Sequence, residues 1–141
     1  MATFVFEKRV EFCETDAAGI AHFSSLMQYI EQAEHGLLRL HGFTVHSGLE
    51  DEVVWPRVHV EMDFAGPVRF EEIVQISVAV KHLGETSVRY GFELEGPRGA
   101  VARAETVAVC CVKVREGSGG VRLSKALIPD AIREALSKHL I

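Results

Sequence analysis

The chain has 141 residues, of which 48% are hydrophobic and 25% are charged, so it is long enough to form one domain with a buried core. Its net charge of −5 argues against a nucleic-acid partner, because such partners bind clustered Lys and Arg. Three cysteines, two of them adjacent, are a poor disulfide framework, and we find neither a signal peptide nor a run of about 20 apolar residues that could span a membrane. We therefore expect a single domain over residues 1–141, located in the cytoplasm, with no nucleic-acid or membrane partner.

The N-terminal third of the chain predicts a strand, a turn and a long helix. Apolar and charged residues alternate over residues 4–12, which predicts a strand, and residues 14–19 are typical of a turn. Helical periodicity then predicts a helix over residues 24–40, capped by Ser24 or Ser25 and ended at Gly42. The predicted apolar face of this helix consists of Leu26, Ile30, Ala33, Leu37 and Leu40.

The remainder of the chain predicts mainly β structure. Strict alternation predicts strands over residues 58–64, 74–80 and 88–94, followed by a longer strand over 101–114 and a short helix over 129–140. Alternate positions of the last strand are small, which lets a helix lie close to the sheet; they are Ala102, Ala104, Thr106, Ala108 and Cys110. We predict an α+β fold in which an antiparallel sheet of about five strands wraps around one long helix. The pattern by itself leaves other α+β topologies open.

Residues 12–34, FCETDAAGIAHFSSLMQYIEQAE, resemble the signature of the 4-hydroxybenzoyl-CoA thioesterase family of hotdog proteins. In that family a strand leads into a T-D-x-x-G turn, and a helix with an aromatic-apolar-Glu segment follows. Residues 55–72, 81–87 and 102–106 match as well, so the resemblance covers nearly the whole chain. It implies a hotdog fold assembled as a homodimer or homotetramer. It also implies hydrolysis of an acyl-CoA thioester, or of an acyl group carried on acyl carrier protein, with no cofactor besides the coenzyme A of the substrate.

The resemblance places the catalytic carboxylate of the family on Asp16. A carboxylate there could attack the thioester carbonyl or deprotonate a water, and the sequence does not choose between these roles. A Thr-Asp pair before Ala-Ala-Gly is also ordinary turn chemistry. The family further implies that the backbone N–H of Phe23 stabilises the oxyanion at the helix N-terminus. Gly19 is the expected permissive backbone position beside the substrate.

His22 and Glu31 are candidate substrate-binding residues. Each also has a structural interpretation, because His22 could hold the loop and Glu31 could lie on a solvated helix face. The pair His22-Phe23 departs from the Tyr-His or Phe-Tyr of many relatives, and its Phe resembles the branch that acts on 1,4-dihydroxy-2-naphthoyl-CoA. Many relatives carry Arg three residues after the helix Glu, whereas this chain has Glu34, so no role of that Arg is transferred.

Two other functions remain open from the sequence. A hotdog dehydratase or hydratase could use His22 with Glu31, and a non-catalytic acyl-binding module could use the same fold. A metal site is not expected, because the histidines and cysteines lack ligand spacing, and Cys13 has no signature of a cysteine nucleophile. The acyl group, either aromatic or short-to-medium aliphatic, is not determined.

Overall fold

The computed structural model describes residues 3–45 and 53–141, which form two helices and two antiparallel sheets. The strands of the larger sheet occur in the spatial order β1-β4-β5-β6-β3, and those of the smaller sheet in the order β2-β7-β8. The helices are α1 (Phe23–Leu40) and α2 (Asp130–Ser137). The strands are β1 (Phe4–Arg9), β2 (Val53–Val54), β3 (Arg57–Phe64), β4 (Ile73–Leu83), β5 (Ser87–Gly96), β6 (Gly99–Val109), β7 (Cys111–Arg115) and β8 (Val121–Lys125).

The long helix α1 packs on one face of the five-stranded sheet, as predicted. Tyr29, Ala33 and Leu37 are fully buried in a core that includes Val78 and Phe92 of the sheet. The small side chains predicted to face the helix are all buried, which allows the close approach; they are Ala102, Ala104, Thr106, Ala108 and Cys110. The predicted antiparallel sheet around one long helix is therefore confirmed.

Gly36 shows how closely α1 approaches the first strand. A Cβ atom built on this residue would lie 3.1 Å from ring atoms of both Phe4 and Phe6. Real Cβ atoms rarely come so close to a neighbour, so even a methyl group would require the two rings to move. The glycine lowers intrinsic helix propensity, and the packing against β1 explains its position in the middle of a helix.

The strand predicted over residues 101–114 is interrupted at Cys110. The Cys110 N–H donates to the Thr86 carbonyl at 2.6 Å, and the Cys110 carbonyl accepts from Ala126 N–H at 2.9 Å. The chain then leaves the larger sheet, and β7 pairs with β2 and β8. Alternation continues through this break, because both halves are extended, so the hydrophobic pattern does not reveal it.

Two element boundaries and the burial of one residue also differ from the predictions. The first strand ends at Arg9, and a short 3₁₀ turn over Phe12–Glu14 replaces its predicted end. Helix α1 begins one residue early with His22 as its cap, so the predicted Ser24 or Ser25 cap is wrong. Leu40 was predicted on the buried face but is 50% exposed, at the last residue of α1.

Strand β3 forms one edge of the larger sheet. Val58, Val60 and Phe64 are between 40% and 64% exposed, although they are large apolar residues. Helix α1 therefore leaves the β3 side of the sheet uncovered, and a groove remains between the helix and this strand. The candidate site lies in that groove.

Candidate active site

Asp16 lies in a tight turn that connects the 3₁₀ turn to helix α1. Its Oδ1 accepts a hydrogen bond from Ala18 N–H at 2.8 Å, and its carbonyl accepts from Gly19 N–H at 3.0 Å. Gly19 has a φ of 79°, which side-chain-bearing residues rarely adopt, and there is open space where a Cβ would be. The turn thus requires glycine for its backbone conformation. No donor to Asp16 Oδ2 occurs within residues 3–45 and 53–141, so this oxygen can face a ligand.

Glu14 connects the turn to the beginning of α1. Its carbonyl oxygen accepts from His22 N–H at 2.9 Å and from Ser25 Oγ–H at 2.8 Å. Its carboxylate accepts from the Tyr29 hydroxyl at 2.8 Å and lies 3.4 Å from Lys8 Nζ. Glu14, two residues before Asp16, is therefore hydrogen-bonded to the beginning of α1 through both its carbonyl oxygen and its carboxylate.

The ionisation of Glu14 reflects these contacts. Partial burial opposes the charged form, but hydrogen bonds from Glu11 N–H and Tyr29 O–H, with the Lys8 ammonium nearby, outweigh it and lower the pKa of Glu14. Burial, followed by the hydrogen bond to Glu14, raises the pKa of Tyr29 well above its usual value. At neutral pH the pair is therefore a carboxylate that accepts from a neutral hydroxyl.

Helix α1 directs its free N–H groups toward the same region. His22 caps the helix, because its Nδ1 accepts from Ser24 N–H at 3.1 Å. The N–H groups of Ser25 and Leu26 donate to the His22 carbonyl at 2.9 and 3.3 Å. The N–H of Phe23 is the first of the helix and has no acceptor within it, so it stays available at the positive end of the helix dipole.

Asp16 and Phe23 line one groove of about 510 Å³. Its other walls are largely apolar: Ile20, Ala21 and Leu26 lie on one side, and residues 64–68 lie on the other. The Ala21 N–H donates to the Val68 carbonyl at 2.8 Å, which ties the two walls together. A carboxylate and a helix N-terminus thus meet in an apolar groove, an arrangement suited to a carbonyl group that gains negative charge.

The model of the thioesterase superfamily matches residues 18–102, which is more than half of the chain. The chain belongs to the thioesterase superfamily. The predicted thioesterase family is therefore confirmed. The matched range begins two residues after Asp16, so it does not test the role of that residue, and the single domain over residues 1–141 stays a prediction.

The relatives of this thioesterase include several hydrolases of one aromatic thioester. A 1,4-dihydroxy-2-naphthoyl-CoA hydrolase of Synechococcus elongatus is 29% identical over 112 residues, which are 78% of this chain and 82% of that protein. The enzyme of the same name from Rippkaea orientalis is 30% identical over 105 residues, which are 72% of this chain and 76% of that protein.

Solved structures show the same fold. A 1,4-dihydroxy-2-naphthoyl-CoA thioesterase from Synechocystis has a TM-score of 0.82 at 21% identity, with 96% of each chain covered. A mutant 4-hydroxybenzoyl-CoA thioesterase, complexed with 4-hydroxybenzoyl-CoA, has a TM-score of 0.82 at 19% identity, with 96% of this chain and 99% of that chain covered. The predicted hotdog fold of this thioesterase is confirmed.

The other predicted site residues lie outside this groove. The Nδ1 atom of His22 bonds the backbone of Ser24 and lies 2.8 Å from its hydroxyl, so the structural interpretation of His22 matches the geometry. Glu31 is exposed, about two helical turns from Phe23. It lines a second cavity with Glu34 and Arg57.

Sequence reasoning missed the buried ion pair beside Glu31. The Glu34 side chain is only 4% exposed, and its Oε2 lies 2.6 Å from Arg57 Nη2. A signal was present, because Glu34 follows the apolar residue Ile30 by four positions and therefore lies on the buried face of the helix. Burial raises the pKa of Glu34 to about 7, although Arg57 opposes this shift.

Proposed function

We propose that this thioesterase hydrolyses an acyl-CoA thioester, with Asp16 as the catalytic carboxylate and the Phe23 N–H as the oxyanion donor. The observation that carries the proposal is that these two groups line the same apolar groove. The hydrolase names of the relatives indicate CoA as the carrier. Gly19 gives the turn the conformation that directs Asp16 toward the groove.

The reaction follows from this geometry in one of two ways. In the first, the Asp16 carboxylate attacks the thioester carbonyl, the C–S bond breaks, and CoA leaves as a thiolate, so that a mixed anhydride remains for water to hydrolyse. In the second, Asp16 takes a proton from a water that attacks the carbonyl, and the same bond breaks. In both, negative charge on the carbonyl oxygen is stabilised by the Phe23 N–H and the helix dipole.

The decisive experiment measures release of free thiol from aromatic and short-to-medium acyl-CoAs by the wild type and by Asp16→Asn. Asparagine can still accept from Ala18 N–H, so the fold is expected to survive while kcat falls by about a hundredfold or more. Asp63→Asn is the matched control, because Asp63 is exposed on β3 and its carboxylate has no hydrogen-bond partner within residues 3–45 and 53–141. Full activity of Asp16→Asn would refute the assignment.

A single turnover in ¹⁸O-labelled water separates the two roles of Asp16. In the nucleophilic route, water that attacks the mixed anhydride at the Asp16 carbon gives an unlabelled product in the first turnover and places the label in Asp16. The general-base route places the label in the product and leaves Asp16 unlabelled. Mass spectrometry of the peptide that contains Asp16 distinguishes these outcomes.

The alternative functions receive less support from the geometry. A dehydratase based on His22 and Glu31 would need both side chains at the substrate, but His22 caps the helix and Glu31 lies outside the groove of Asp16. An acyl-binding module would bind acyl-CoA without releasing thiol. The thiol assay with acyl-CoA and with acyl carrier protein thioesters therefore tests the alternatives and the carrier together.

The proposal includes a homodimer or homotetramer. Strand β3 leaves one edge of the sheet unpaired within the described chain and exposes Val58, Val60 and Phe64 beside it. Neither helix within residues 3–45 and 53–141 has the length and apolar character needed to cross a bilayer. Free cysteines at positions 13, 110 and 111 are consistent with a reducing compartment, and we place the protein in the cytoplasm.

A further inference from the structure

Residues 65–72 connect β3 to β4, and the first four of them line the candidate active site. We call residues 65–72 the wall segment. Its beginning is fixed to the larger sheet, because the N–H groups of Ala65 and Gly66 donate to the Val101 carbonyl at 2.8 and 3.2 Å. The position of its second half depends on other contacts, which lie further along the segment.

The wall segment contacts the part of the chain that carries Asp16. The Val68 carbonyl accepts from Ala21 N–H at 2.8 Å, and Arg69 forms an antiparallel bridge with Ile20. The Ile20 carbonyl in turn accepts from Asp16 N–H at 2.9 Å. Helix α1 starts two residues after Ala21. A displacement of Val68 and Arg69 would therefore move both the Asp16 turn and the N-terminus of α1.

One residue of the wall segment has a strained backbone. Glu71 has a φ of 73°, and among residues 3–45 and 53–141 it is the one non-glycine residue with a positive φ. Such a conformation persists only where surrounding contacts impose it. The Glu71 N–H donates to the Val10 carbonyl at 2.9 Å, and the Glu71 carbonyl accepts from Arg9 Nη1 at 3.0 Å. The conformation of the wall segment thus depends on bonds to other parts of the chain.

An ion pair between Glu72 and Arg98 joins the wall segment to the turn between β5 and β6. Arg98 Nη1 lies 2.6 Å from Glu72 Oε2, and Arg98 Nη2 lies 2.7 Å from Glu72 Oε1. Arg98 Nη2 also lies 3.4 Å from the Pro67 carbonyl oxygen, and Glu72 Oε1 accepts from Arg69 N–H at 2.7 Å. Pro67 precedes Val68, and Glu72 follows Arg69. The ion pair therefore holds the two residues that contact the Asp16 turn from both directions of the chain.

The geometry of this ion pair distinguishes it from most ion pairs at a protein surface. Exposed pairs usually contribute little, because water screens the charges and ordering the side chains costs entropy. The Arg98 side chain is 44% exposed and that of Glu72 is 21% exposed, but the guanidinium and the carboxylate form two parallel hydrogen bonds. The bonds from Arg98 and from Arg69 N–H lower the pKa of Glu72 to about 2. The pair therefore stays charged throughout the pH range of a thioesterase assay.

We propose that Arg98 is a positioning residue of this thioesterase and acts on the reaction through Glu72 and the wall segment. Arg98 lies outside the groove, but its two bonds to Glu72 fix the segment that holds the Asp16 turn and the N-terminus of α1. A misplacement of about 1 Å can lower a catalytic rate by about a hundredfold, so a small movement of this segment is sufficient. This inference rests on the proposed function, because the groups that are positioned are the Asp16 carboxylate and the Phe23 N–H.

The test compares thiol release by the wild type and by Arg98→Ala, with the acyl-CoA that the wild type hydrolyses fastest. The kcat is expected to fall by about tenfold, because Asp16 and the Phe23 N–H must be in place when the transition state forms. The KM is expected to change by less than about twofold, because apolar contacts with the acyl group are not directional. Arg122→Ala is the matched control. Arg122 also donates to a glutamate, Glu116, at 3.0 Å, but it lies in the smaller sheet, so its removal should leave kcat unchanged.

Chemical rescue and NMR separate positioning from a general loss of stability. Methylguanidinium can occupy the space that Arg98→Ala leaves and can bond Glu72 in the same planar geometry, whereas ammonium cannot. Saturating methylguanidinium is expected to raise the kcat of Arg98→Ala by about threefold or more, and ammonium is expected to have no effect. The amide signals of Ala21 and Phe23 should shift in Arg98→Ala and should return toward their wild-type positions with methylguanidinium.

The outcomes separate this inference from the proposed function. Wild-type kcat in Arg98→Ala, or an equal loss of kcat in Arg122→Ala, would overturn the inference and leave the proposed function standing. A loss of kcat without any shift of the Ala21 and Phe23 amide signals would also overturn it, because Arg98 would then act by another route. If the wild type releases no thiol from any acyl-CoA, the proposed function fails, and the inference fails with it.

Discussion

Replacing Tyr29 by Phe removes one oxygen from the network that ties the turn of Asp16 to the helix. Tyr29 is fully buried, and its hydroxyl donates to the Glu14 carboxylate at 2.8 Å. Phenylalanine keeps the ring packing and the contact with Lys8, whose ammonium lies 5.6 Å from the ring centroid. The variant therefore isolates the hydrogen bond.

The magnitude follows from the charge of the acceptor. A hydrogen bond to a charged group contributes about 1.5–3 kcal/mol to stability. Glu14 keeps Lys8 and the N–H of Glu11 as partners in the variant, so we expect a loss near the lower end, about 1.5–2 kcal/mol. For a domain of this size, that loss lowers Tm by roughly 6–8 °C.

The pH dependence of this loss has a definite sign. The pKa of Glu14 is lower in the folded state than its ordinary value of 4.5, so the unfolded state binds the proton more tightly. The stabilisation is therefore complete above the unfolded pKa and disappears as the pH falls through the folded pKa. The difference in Tm between the wild type and Tyr29→Phe should be large at neutral pH and smaller at a pH below the folded pKa.

Differential scanning calorimetry across this pH range is the assay, and Tyr90→Phe is the control. Tyr90 is also buried, at 3% exposed, but the hydroxyl that donates to the Glu14 carboxylate is that of Tyr29. Removal of the Tyr90 hydroxyl should change Tm by only a few degrees. This change should not show the pH dependence of the Tyr29–Glu14 pair. Equal effects of the two variants at every pH would refute the role assigned to the Tyr29–Glu14 bond.

Two further predictions concern backbone conformation and histidine ionisation. Gly19→Ala should destabilise the protein by about 1–2 kcal/mol because of the left-handed backbone, since no neighbour lies where its Cβ would be. Gly19→Asn should cost less, because Asn adopts the left-handed conformation more readily than Ala. Urea unfolding measures both losses, and equal losses would contradict the backbone explanation. Burial, with Lys138 nearby, lowers the pKa of His41, whose Nε2 lies 2.8 Å from His139 Nε2. The contribution of His41 to stability should therefore be complete above about pH 6.5 and should decrease as the pH falls through the folded pKa. If the Tm of His41→Asn falls as steeply with decreasing pH as the Tm of the wild type, His41 makes no such contribution.

The sequence by itself determined the features that depend on neighbours along the chain. Spacings of three and four residues marked α1, and alternation marked the strands, because these patterns follow directly from helix and strand geometry. The turn that contains Thr15, Asp16 and Gly19 was also predicted, because the positive φ of Gly19 depends only on the local backbone. The predicted fold and family are confirmed by the structure and by the relatives.

Only the tertiary structure decided which distant residues meet. The break at Cys110 depends on hydrogen bonds to Thr86 and Ala126, and the alternation of side chains continues unchanged through it. Glu34 meets Arg57 across 23 positions of the sequence, and its burial follows from the sheet that covers that face of α1. Asp16 in the turn and Phe23 at the start of α1 are close in sequence, and both were predicted to belong to the site. The opposite wall of their groove, residues 64–68, comes from another part of the chain. The local sequence pattern predicts whether a segment is a helix or a strand. The free energy of packing decides which helices and strands contact each other.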